Sequence, residues 1–105
     1  MAEVLVHSPD LEWEQAVGYG PDTRRKILRR GESGQPLTVL LELPPGFRMD
    51  RHTHVHAEHH YILQGEYESM GERFREGSYR MIPGHTDHGP FSTETGALVL
   101  VVWEA

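Results

Sequence analysis

Eleven glycines and seven prolines punctuate these 105 residues, and their spacing constrains the fold more than any other feature. No stretch between them keeps a helical period long enough for a stable helix. Short runs lie between the breakers, and Lys26–Arg29, Leu37–Leu43, His59–Gln64, Glu66–Ser69, Arg73–Phe74, Ser78–Ile82 and Ala97–Trp103 read as strands. Thr38–Leu43 and Ala97–Trp103 are apolar on both faces. Each therefore expects cover on two sides, from a second sheet or from a partner subunit. Short strands at close spacing, in a chain of one domain's length, point to an all-β antiparallel sandwich or barrel. Residues 1–36 read as an arm and edge strands of the same domain, with Trp13 and a Gly18-Tyr19-Gly20-Pro21 turn, and residues 37–105 as the barrel core.

Sixteen acidic against ten basic side chains give a net charge of −6 with histidine neutral. That balance argues against nucleic-acid or anionic-membrane binding driven by charge. Cysteine is absent, which excludes disulfides, thiolate zinc knuckles, iron–sulfur clusters and cysteine nucleophiles. Met1–Leu11 carries neither a basic n-region nor an apolar run of signal length, so the expected location is the cytoplasm.

Histidine, by contrast, is abundant: there are eight, and seven lie between His52 and His88. His52-Thr53-His54 on a strand would put both imidazoles on one face, because strand side chains alternate with period two. Glu58, four residues after His54, can return to the same ion if the chain turns between them. Two or three imidazoles with one carboxylate suit Fe, Mn, Ni, Co, Cu or Zn and disfavour Ca and Mg. A further ligand should come from a neighbouring strand, where His85 and His88 are the histidines available. His56 reads as a turn residue facing solvent and His59 as outward-facing. His60 shares strand parity with Glu58 and is expected behind the ligands or against a substrate.

These residues resemble the cupins, specifically small single-domain bacterial cupins. The first cupin motif, G-x5-H-x-H-x3-E-x6-G, is matched by Gly46, His52, His54, Glu58 and Gly65. The second, G-x5-P-x-G-x2-H-x3-N, is matched by Gly77, Pro83 and His88, with His85 at the glycine position and Ser92 at the asparagine. The resemblance spans about residues 37 to 103. It implies a double-stranded β-helix, an antiparallel jelly-roll barrel, holding one divalent transition metal (Fe, Mn, Ni, Cu or Zn) on His52, His54, Glu58 and His88.

The resemblance also implies function. Similar cupins are mononuclear metal-dependent oxygenases of small enolic or aromatic substrates, and in that reading Glu58 doubles as ligand and catalytic base. A non-redox isomerase or lyase would use the same site. The chain also looks like the metal-binding cupin domain attached to certain anti-sigma factors, which makes a metal- or ligand-binding sensor the alternative. The expected partners are a small molecule and a second copy of the chain, with no nucleic acid and no membrane.

Overall fold

The computed structural model describes residues 2–104, and the chain is all-β. Among the described residues, a 3-10 turn at Ser8–Asp10 precedes eleven strands. These are β1 (Glu14–Gln15), β2 (Arg24–Arg30), β3 (Pro36–Leu43), β4 (Phe47–Met49), β5 (His52–Thr53), β6 (Glu58–Ser69), β7 (Glu72–Arg75), β8 (Tyr79–Ile82), β9 (Asp87–His88), β10 (Phe91–Thr93) and β11 (Ala97–Trp103). Nine form one curled sheet in the order β1-β2-β3-β11-β6-β10-β4, with β7 and β8 also paired to β6. The other two, β5 and β9, pair only with each other. All pairings are antiparallel. No described helix is long and apolar enough to cross a membrane.

The curl depends on β6, whose first half pairs with β8 and β11 and whose second half pairs with β7 and β10. Gly65 was expected to end a strand here, but the ladder runs through it. A register shift against Leu98–Val99 leaves Leu63 unpaired, and Gly65 takes a φ of 73°. Bulge and left-handed glycine together bend the strand from one wall of the barrel to the other without breaking it. A Cβ at Gly65 would collide with the Gly96 carbonyl oxygen, so the position also has no room for a side chain. Met70 and Gly71 connect β6 to β7, with both residues at positive φ, as a tight two-residue hairpin turn demands.

Alternation sets the two faces. Across the barrel wall one inward row runs Ile27, Val39, Val101, His60, Arg80, and the next brings together Leu41, Val99 and Ile62. Val39, Val99, Val101, Ile62 and Tyr67 are each 1% exposed. Burying an aliphatic side chain of this size is worth about 1.5–3 kcal/mol, so these rows anchor the domain. The opposite face of the same strands carries Leu40, Leu100, Tyr61 and Tyr79 in one row, and Tyr61 (42% exposed) and Tyr79 (60%) stay open to solvent. The arm reaches the outer edge of this face, where Trp13 stacks beneath Lys26 and Arg24 and the Ser8 carbonyl accepts a 2.8 Å bond from Lys26 Nζ.

Candidate metal centre

The short β5–β9 pair creates the site. Its two rungs, His52↔His88 and Thr53↔Asp87, set two imidazoles side by side with ring centroids 4.2 Å apart. A side-chain hydrogen bond from Thr53 Oγ1 to Asp87 ties the second rung. His54 follows directly, its ring 4.6 Å from His52 and 4.9 Å from His88. The chain then turns and enters β6 at Glu58. One donor atom from each of His52, His54, Glu58 and His88 lies within 4.8 Å of all the others.

Each residue arrives with lone pairs free. His52 Nδ1–H donates to the Asp50 carbonyl oxygen at 3.1 Å, which leaves Nε2 bare. His54 Nε2, both ring nitrogens of His88 and Glu58 Oε2 are buried without a hydrogen-bond partner. A buried polar atom left unpaired costs about 1–3 kcal/mol, so one such atom from each of His54, Glu58 and His88 in one cluster calls for a shared partner. A divalent ion about 2.1 Å from each donor would hold them within roughly 4.2 Å of one another, so binding would draw the cluster together by tenths of an ångström. The nitrogen-rich set fits a transition metal and not Ca or Mg.

The electrostatics agree. Burial pushes the His88 imidazole down to about 4, helped by His52, His54 and His60 against the opposing pull of Glu58. Burial likewise lowers His54. At Glu58 the largest influence, burial, acts to raise the carboxyl, but the hydrogen bond and charge of His60, with His54 and His88, outweigh it and hold the group below its ordinary range. At neutral pH His54 and His88 are neutral and Glu58 ionised, the forms that bind metal.

His60 lies where parity placed it, buried and facing inward, with Nε2 3.5 Å from Glu58 Oε1 and Nδ1 2.6 Å from the Tyr67 hydroxyl. His56 and His85 are exposed. His59 is on the outer face, as expected, bonded to Tyr79 and Glu104. Of the two downstream histidines, His88 joins the cluster; His85 contributes only its backbone N–H, which donates to the His54 carbonyl at 2.6 Å.

One site residue escaped the sequence reading. Tyr19, in the glycine-flanked turn of the arm, lines the cavity beside Glu58, His52, His60 and His88. Two fully buried residues, Ala16 and Thr23, close the base of that turn through a 2.8 Å backbone bond. Gly18 and Gly20, both at positive φ, let the tyrosine project between them. An aromatic between two glycines was the available signal. The cavity is about 30 Å³ and is otherwise walled by Leu41, Leu43, Phe47, Met49, Tyr67, Phe91 and Val99. Tyr19 also lines two larger clefts, one along β5 and one beside Arg25 and Trp103.

Residues 1–105 match the family described as the ChrR Cupin-like domain. The chain is a cupin. Among solved structures it is similar to a chain of the complex between Rhodobacter sphaeroides SigE and the anti-sigma ChrR, at 24% identity and a TM-score of 0.74. That alignment covers 93% of this cupin and 52% of the other chain, so the domain spans about half its relative's length. KdgF from a Halomonas species is 26% identical with a TM-score of 0.73, over 98% of this chain and 93% of that one. A provisionally assigned acetylacetone dioxygenase from Methylibium petroleiphilum is 16% identical with a TM-score of 0.84, over 98% and 77%. No curated protein matches the chain.

Proposed function

We propose that this cupin binds one divalent transition metal on His52, His54, Glu58 and His88 and acts as a metal-dependent oxygenase on a small oxygenated, enolic or aromatic molecule. The observation that carries the metal assignment is the set of unpartnered donors turned toward one another in a buried pocket. The bound ion would supply Lewis acidity and open positions for oxygen donors. The protein's own groups do the rest. Leu41, Leu43, Phe47, Met49 and Phe91 exclude water and accept an apolar body. Glu58, held ionised, is the base in reach of a substrate proton. A cavity of about 30 Å³ holds only one or two waters, so an organic substrate must displace the Tyr19 ring or bind against it from the outer clefts.

Elemental analysis of untagged protein, followed by oxygen uptake with acetylacetone as probe, tests this reading. Near-stoichiometric Fe, Mn, Ni or Cu with oxygen consumption is the expected result. Protein that binds no metal after reconstitution overturns it. A second reading, a metal- or ligand-sensing domain, is favoured by the full-length match to the ChrR Cupin-like family and by the small cavity. Stoichiometric zinc with no turnover would select it.

The exposed row of Tyr61, Tyr79 and Met81 supports pairing of two copies through the outer sheet face. A dimeric mass in analytical ultracentrifugation, reduced to a monomer by Tyr61→Glu, is the expected outcome. A wild-type monomer would exclude the pairing. The cytoplasmic location expected for such a protein is part of the same proposal.

A further inference from the structure

We propose that Tyr67 locks His60 as an Nε2–H donor aimed at Glu58, which makes His60 a positioning residue for the carboxylate and bars it from being a fifth metal ligand. The inference rests on the metal assignment above but adds residues that neither the motif nor the ligand cluster contains.

Distance from Glu58 alone leaves the role of His60 open. Glu58 Oε1 is 3.5 Å from His60 Nε2, nearly the same as its 3.6 Å from His54 Nε2 and 3.3 Å from His88 Nε2. A bare Nε2 at that distance could ligate; a protonated one can only donate. The far side of the ring decides between them. His60 Nδ1 is 2.6 Å from the hydroxyl of Tyr67, whose side chain is fully buried. A phenol has one hydrogen, and a buried one needs an acceptor. Arg80 stands opposite His60 on β8, but its buried Nη1 makes no hydrogen bond, and His60 Nδ1 is the hydrogen-bond partner of the Tyr67 hydroxyl among the described residues. The phenol hydrogen must then go to His60 Nδ1, and the imidazole hydrogen to Nε2. The opposite arrangement would strand the Tyr67 hydrogen and point a nitrogen lone pair at the Glu58 carboxylate.

The supporting phenol is itself fixed. Tyr67 packs between the Phe74 and Phe91 rings, at 5.3 and 5.4 Å. A line of contacts thus runs from the Phe74 and Phe91 rings through Tyr67 and His60 to the carboxylate. It fixes one Glu58 oxygen, as outer partners of metal ligands commonly do.

Long-range ¹H–¹⁵N spectra of the full chain, with the His60 signals assigned by their loss in His60→Gln, read the proton position directly. In metal-free and zinc-loaded wild type the expected pattern is a proton on Nε2 and none on Nδ1. In Tyr67→Phe the proton should move at least partly to Nδ1. Nδ1–H in the wild type, or an unchanged pattern in Tyr67→Phe, overturns the proposal; the wild-type spectrum decides even if that variant does not fold. His60→Gln should still bind one equivalent of zinc, with affinity lowered about 10- to 100-fold. Loss of the equivalent would make His60 a ligand and overturn it too. Wild type that binds no zinc would defeat the metal assignment instead, while the metal-free spectrum still reports on the proton lock.

Discussion

The two ends of the barrel interior are built on opposite terms. At one end Val39, Val99, Val101 and Ile62 interdigitate from β3, β11 and β6, whose ladders are continuous apart from the bulge at Leu63. At the other, Glu58 (2% exposed) and His88 (3%) are as deeply buried, yet Glu58 Oε2 and both His88 ring nitrogens go unpaired, and His88 sits on a two-rung ribbon. Water-excluding depth is common to both. The apolar end gains free energy from it; the polar end loses free energy until something fills the cluster.

The sharpest break in this comparison should come from the ligands. Glu58→Gln and His88→Ala are expected to drop bound metal from about one equivalent to near zero, while His56→Ala and His85→Ala leave it unchanged; elemental analysis after dialysis reads all four. If the His88 variant kept its metal, the polar end would need another explanation. Next in size is Ile62→Ala at the apolar end, expected to cost about 2–5 kcal/mol in denaturant unfolding while metal stoichiometry stays intact. Loss of metal in that folded variant would mean the two ends are not separable.

A third test uses pH. His54 and His88 have folded-state pKa values below those of the unfolded chain, His88 near 4. As pH falls below about 6.5 the unfolded state takes up protons that the folded state refuses, so metal-free stability must decline toward pH 4. Glu58, depressed in the fold, adds a loss of the same sign as pH falls through the carboxylate range. Thermal unfolding of metal-free protein across that window should show a falling midpoint, and a flat profile would contradict the burial argument. The smallest effect belongs to neither end: Arg24→Ala breaks the exposed 2.6 Å pair with Glu42 and should change stability by no more than about 1 kcal/mol.

Strands with a sustained pattern were legible in the sequence. β3, β11 and the first half of β6 announce themselves by β-branched or apolar runs bounded by Gly and Pro. β4, β5, β9 and β10 do not, because two or three residues are too few to show any period; their partners across the ladder define them. The continuity of β6 through Gly65 was likewise hidden, since a glycine that bends a strand and one that ends it look alike in a sequence.

What the sequence determined by itself was the chemistry. Histidines at i and i+2, a carboxylate four residues on and a histidine after a Pro-Gly turn specify donors of one kind, and breaker spacing restricts the chain to strands that can present them. The motif resemblance already pointed to His88, and the tertiary structure supplies the reason: strand pairing sets His88 opposite His52, while His85 sits in the turn at positive φ with its side chain in solvent. The tertiary structure alone brought Tyr19 to the cavity and placed Tyr67 and Arg80 beside His60. Those contacts join residues far apart in the chain, and local pattern holds no information about which distant side chain will close a pocket.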